Sequence, residues 1–263
     1  MDSPDLGRGV LHPARAAELI SVERLVPEPG VARFVEYYWL VRWDLRGLPP
    51  YEQKVLAHPH VHLVFEAPRA RVYGVDRALF VRRLEGAGHV LGVRFRAGAF
   101  RPFAGRPVIS LADRSVPAAD YFGPAVDRLT PLLLSGDQGG PAALADAFLR
   151  SRLPEPDPVA DEVAAMVDRI TGTPDLRRVD DLAEEFGLGV RRLQRLFAEY
   201  VGASPKWVLR RARLHEAAER AASGGELDLA ALAAELGYAD QAHLTRDFTA
   251  AVGVSPARYA GTR

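Results

Sequence analysis

The chain has 263 residues, 48% of them hydrophobic and 26% charged, with 34 basic side chains against 34 acidic ones. That is the composition of an ordinary globular protein, long enough for two domains, and not of a disordered or fibrous one. The lack of cysteine excludes disulfides, thiolate metal sites and cysteine nucleophiles; no run of 18 apolar residues suggests a membrane span, and the first thirty residues hold no signal-peptide core, so a cytoplasmic protein without a membrane partner is expected.

Along the first half, short alternating apolar runs are punctuated by Gly and Pro, and 37–43, 61–65, 71–75 and 89–95 read as strands. In the last, His89, Leu91, Val93 and Phe95 share one face while Val90, Gly92, Arg94 and Arg96 share the other, so one face packs and the other is partly polar. His58, His60 and His62 alternate along a predicted strand and should project from one face, with about 6 to 7 Å between alternate positions. They read in two ways: as ligands of a transition metal, with His89 or Glu66 completing the set, or as polar residues lining a pocket and satisfied by backbone carbonyls. No carboxylate stands beside them in a metal-enzyme pattern; neither an enzyme nor a cofactor is implied.

From about Pro124 the pattern turns helical, with helices predicted over 125–134 and 142–152 around the glycine-rich stretch 136–140. Pro154, Pro156 and Pro158 then forbid a helix through the segment that holds them. The division expected there is a β-rich regulatory domain over 1–155, closed by two helices, and an all-α domain over 159–263.

The second domain contains an internal repeat. Ala183, Glu184, Glu185, Phe186 and Gly187, followed by Leu193 and Phe197, recur as Ala233, Ala234, Glu235, Leu236 and Gly237, followed by Leu244 and Phe248. Val201 to Pro205 likewise matches Val252 to Pro256, and one residue has been gained in the second copy between Gly237 and Phe248. In each copy a short helix ends at a glycine suited to a left-handed turn, and a second helix with i, i+3, i+4, i+7 apolar spacing follows. That is the helix-turn-helix pattern, whose second helix enters the DNA major groove; the two units are expected over 179–200 and 229–251.

Ser204 and Pro205 form an N-cap and first-turn proline, and no breaker follows before Ser223, Gly224 and Gly225, so one helix should join the units. About 20 residues span roughly 30 Å, close to the roughly 34 Å between successive major grooves on one face of DNA. Charge is uneven: from Arg191 to Arg213 seven basic residues face Glu199 alone, a local +6, whereas from Glu226 to Arg258 two face five acidic ones, a local −3. The first unit should therefore dominate affinity.

Residues 159–263 resemble the DNA-binding domain of the AraC/XylS transcriptional regulators, most specifically through Gly237 to Phe248, the following Val252 to Pro256, and Tyr259. The resemblance implies a regulator that binds double-stranded DNA and works with RNA polymerase, with the third and sixth of seven helices reading bases. By position these readers are Arg191, Arg192, Gln194 and Arg195 in the first unit and Gln241, Ala242, His243 and Arg246 in the second. Ala242 stands where a polar base reader is common, which weakens readout by the second unit. Lys206, Arg210 and Arg211, with Arg213, are expected to contact phosphate or stay solvated. Residues 22–122 resemble an uncharacterised domain found ahead of such modules in bacteria, through Tyr37 to Trp39, His58 to Phe65 and Gly92 to Gly98; by architecture it is expected to sense a small-molecule effector or to form a homodimer. A DNA-repair methyl acceptor is excluded by the missing cysteine, a His-rich barrel enzyme would have to show turnover, and a DNA-packaging protein would usually be basic overall.

Overall fold

The computed structural model describes residues 6, 8–135, 140–172, 176–223 and 227–261. The predicted glycine-rich stretch, apart from Gly140, lies outside the described residues, as do Gly224 and Gly225. The fold is α+β: a β-rich N-terminal region followed by a helical C-terminal one.

A short helix α1 (Pro13–Leu19) leads into strands β1 (Ile20–Leu25), β2 (Val35–Asp44), β3 (Tyr51–Leu56), β4 (His62–Phe65), β5 (Arg71–Tyr73), β6 (Leu79–Leu84), β7 (Ala87–Phe95) and, after helix α2 (Arg101–Ala104), β8 (Ser115–Pro117). Six of them form one antiparallel sheet in the order β1-β2-β7-β4-β5-β8, and β3 pairs with β6 in a separate ribbon. The four predicted strands correspond to β2, β4, β5 and β7; sequence reading missed β1, β3, β6 and β8.

The alternation read in β7 sorts the two faces of the sheet. Leu91, Val93 and Phe95, with Tyr38 and Leu40 of β2 and Leu63 and Phe65 of β4, are buried together with Phe100, Phe122, Val126 and Leu149. The last three come from helices α3 (Ala119–Phe122), α4 (Ala125–Ser135) and α5 (Pro141–Arg150), which cover that face. Buried Asp146 on α5 ties the layers, accepting 2.6 Å from the Tyr38 hydroxyl. The opposite face of the sheet and the β3–β6 ribbon enclose a cavity.

The proline-rich segment carries no helix until α6 (Pro158–Gly172). Then come α7 (Val179–Glu185), α8 (Val190–Leu196) running into a π-helical turn (Phe197–Val201), α9 (Pro205–Ala222), α10 (Leu229–Glu235), α11 (Gln241–Val252) and α12 (Pro256–Ala260). The expected seven helices are thus present among the described residues, with α8 third and α11 sixth. Ser204 caps α9 as predicted, its Oγ accepting 3.2 Å from the Trp207 backbone N–H.

The 18-residue α9, roughly 27 Å long, belongs to both helical cores. Its first half places Val208 and Leu209 with Leu182, Leu193 and Phe197; its second places Leu214, Ala217 and Ala221 with Leu232, Leu244 and Phe248. Val75 and Ala97 of the N-terminal region enter the first of these cores, and Leu11 and Leu56 enter the second. Arg101–Glu199 (2.5 Å), Arg33–Asp161 (2.6 Å) and Arg8–Glu219 (2.7 Å) reinforce this contact.

Candidate nucleic-acid interface and N-terminal cavity

In the first unit α7 and α8 meet at a turn where Gly187 takes φ 62°, a conformation that only glycine adopts without cost. Leu193 and Phe197 point into the core, so Arg191, Arg192, Gln194 and Arg195 fall on the exposed side of α8. None of the four has a side-chain partner among the described residues. Arg191 and Arg195, one turn apart with Gln194 beside them, can reach a common surface.

The second unit repeats the plan with Gly237 at φ 71°. The extra residue lengthens its turn and lets Asp240 cap α11, its Oδ1 accepting 2.7 Å from the His243 backbone N–H. The matching position before α8 is Gly189, which has no side chain to cap with. Gln241, Ala242, His243 and Arg246 are exposed on α11, and the His243 ring stands edge-on to buried Tyr238 at 5.1 Å.

The connecting helix departs from expectation. Lys206 is exposed, but Arg211 is 4% exposed: its guanidinium lies over the Trp207 ring at 4.6 Å and donates 2.7 Å to the Arg77 carbonyl. Burial, with Arg210 nearby, lowers its pKa to about 10. Arg211 is therefore an anchor to the N-terminal region and not a phosphate contact. Arg210 forms a two-pronged pair with Asp247 of α11, at 2.8 and 3.0 Å, so it braces α11 against α9. Arg213 lies over the Tyr238 ring at 4.9 Å. These three arginines supply much of the local +6, and their partners sit on other elements, so no spacing in the sequence announces them.

The N-terminal cavity has a volume of about 650 Å³ and an entirely different lining, with Tyr37, Trp39, Val41 and Trp43 of β2 and Val90 and Arg94 of β7 on one side and Phe80 and Val81 of β6 among the rest. Gly92 and Gly88 of β7 have no side chains where the indoles of Trp39 and Trp43 press: a Cβ would come within 1.9 Å and 2.5 Å of them. His58, His60 and His62 all line this cavity, although only His62 lies in a strand and the other two precede it. His89 does not join them. It faces the helices, and its Nε2–H donates to the Leu134 carbonyl.

Hydrogen bonds fix the tautomers of the three rings. His58 Nε2–H donates 2.7 Å to the Arg8 carbonyl, His60 Nδ1–H donates 2.9 Å to the Phe95 carbonyl, and His62 Nδ1 accepts 3.1 Å from the Trp39 indole N–H. Burial and the neighbouring Arg94 depress the pKa of all three, to about 3 for His58 and His62, so they are neutral. The His62 lone pair is thus used and its Nε2 bears hydrogen, while Glu66 is taken by Arg82 (2.7 Å) and Tyr73 (2.5 Å). The metal reading gives way to a polar pocket lining: no group of side chains among the described residues is placed to hold an ion. His58 also stacks on His215 of α9, with ring centroids 4.0 Å apart and planes at 13°.

Two helix-turn-helix units on one shared helix, each with an exposed second helix, define a DNA-binding protein. Residues 182–262 match the family model described as a helix-turn-helix domain, and residues 23–117 match the domain of unknown function DUF6597. Among solved structures, the C-terminal domain of AraT, a response regulator from Geobacillus stearothermophilus, aligns at 28% identity over 41% of this chain and 87% of its own, with a TM-score of 0.35. ToxT from Vibrio cholerae O395 aligns at 10% identity over 92% of this chain and 96% of its own, with a TM-score of 0.39. No curated protein matches the chain. The chain carries a helix-turn-helix domain behind a domain of unknown function.

Proposed function

We propose that the chain is a sequence-specific regulator in which residues 159–263 bind DNA and residues 1–155 control that binding through a small molecule held in the cavity. The observation that carries this reading is the pair formed by His58 and His215. One ring lines the cavity and the other stands on the helix that joins both helix-turn-helix units, so a ligand that shifts His58 acts directly on the DNA-binding scaffold.

In this reading Arg191 and Arg195 contact guanine and Gln194 adenine, the pairings that their donor and acceptor patterns favour in the major groove, and Arg192 with Lys206 holds phosphate. Gln241, Ala242, His243 and Arg246 face the adjacent groove with fewer polar contacts. A homodimer and RNA polymerase complete the proposed assembly at the promoter. The test is to select bound sequences from a random DNA pool with the full chain, and with 159–263 alone. A shared motif with two segments about one helical turn apart supports the reading, whereas an unenriched pool overturns it.

A further inference from the structure

The cavity also has a definite chemistry. Its floor includes two indoles, Trp39 and Trp43, each resting on a side-chain-free position of β7 and so held with one side against the strand while the residue lines the cavity. Arg24 and Arg114 are exposed members of its lining, and half-buried Asp76 accepts 3.1 Å from the Ala78 backbone N–H; its other charges are paired, Arg94 with Glu36 at 2.9 Å, Arg82 with Glu66 at 2.7 Å, Arg8 with Glu216 at 3.0 Å, and Asp113 with Arg77 at 2.8 Å. Among its buried groups, what remains for a ligand is uncharged. Gln53, 7% exposed, has a buried Oε1 with no partner; His60 has a lone pair on Nε2, and His62 has a hydrogen on Nε2, because their other nitrogens are committed.

We infer that this cavity is a binding site for a neutral, planar aromatic or heteroaromatic molecule, stacked on Trp39 and Trp43 and hydrogen-bonded by Gln53, His60 and His62. The inference rests on the proposal that the cavity holds an effector, and it names the effector's class. Three features favour that class. A flat apolar body can lie on the indole faces turned away from the strand, where aromatic contacts add to area burial. The volume suits a molecule of drug-like size. Against the buried groups, a ligand carboxylate or ammonium would be desolvated without an uncommitted counter-charge.

The test is titration calorimetry on the full chain with three neutral probes (2-quinolone, 7-hydroxycoumarin and indole-3-carboxamide), an anionic planar one (quinoline-2-carboxylate) and an aliphatic one (decanoate). At least one neutral planar probe should bind more tightly than both carboxylates. Trp39→Leu should weaken that probe by about tenfold or more, and Trp43→Leu by a smaller factor. Each variant is to be checked for an unchanged circular dichroism spectrum, and His60→Phe gives an independent loss should Trp39→Leu fail to fold. Tighter binding of quinoline-2-carboxylate or decanoate overturns the inference, as does the absence of binding by every neutral probe, or binding that neither tryptophan variant nor His60→Phe changes. The DNA affinity of the probe-bound protein is a separate readout: if a neutral probe binds without changing it, the effector reading fails while the ligand class stands.

Discussion

At the scale of single residues, exposed arginines must be separated from those already engaged. Arg195 is exposed without a side-chain partner among the described residues, so Arg195→Ala should cost about 1 to 3 kcal/mol at the preferred site and relax preference at one base position. Arg246→Ala should cost less, since acidic residues surround the second unit; equal losses in a gel-shift comparison would refute that asymmetry. Lys206→Ala should weaken all sequences alike and lower the slope of log affinity against log salt by about 1. Arg210→Ala should behave differently, since Arg210 braces Asp247 and touches α11 through it. Specific binding should fall with the salt slope nearly unchanged, and Arg210→Ala combined with Asp247→Ala should recover part of the loss, because the second change removes a carboxylate left without its partner. The sequence showed these arginines as one basic cluster. It did not show that Trp207, Tyr238, Asp247 and the Arg77 carbonyl claim three of them, because such partners are set by packing across elements.

At the scale of elements, the two units differ in how their helices begin. In the second, Asp228 and Asp240 cap α10 and α11 with side-chain oxygens. In the first, Arg178 and Gly189 precede α7 and α8 and give no side-chain cap. Asp240→Ala should therefore destabilise the chain by about 1 kcal/mol in urea unfolding. Gly189 has extended backbone with open space around it, so Gly189→Asp should add a few tenths of a kcal/mol yet weaken DNA binding by placing a carboxylate beside phosphate. The helical elements were legible because duplication, glycine turns and 3.6-residue spacing all agreed. β3 and β6 were not, since Glu52, Gln53 and Lys54, then Arg82 and Arg83, interrupt any apolar alternation. β8 is three residues long, too short for a pattern to emerge. His58, His60 and His62 line one cavity although only His62 lies in a strand, and His89 was not separable from them without knowing which face of β7 meets the helices.

At the scale of the whole molecule, the buried histidines make stability depend on pH. His58 and His62 stay neutral in the fold down to about pH 3, and His60 and His215 are also depressed, chiefly by burial. Unfolded histidine takes up its proton near pH 6.5, so the unfolded state binds more protons over the interval between. Stability is full above about pH 6.5 and falls as the solution is acidified toward pH 3, by up to roughly 1.4 kcal/mol per pH unit for each such histidine. Urea unfolding between pH 8 and 5 should show the decline, and His215→Phe, which keeps a ring against His58, should make it shallower. The same His58–His215 contact has a consequence that runs in both directions. If a molecule in the cavity changes the affinity for promoter DNA by some factor, thermodynamic linkage requires the promoter to change the affinity for that molecule by the same factor. Regulator bound at its operator and regulator free in the cell would then respond to different concentrations of one signal, and the DNA site would help to set the dose at which it is heard.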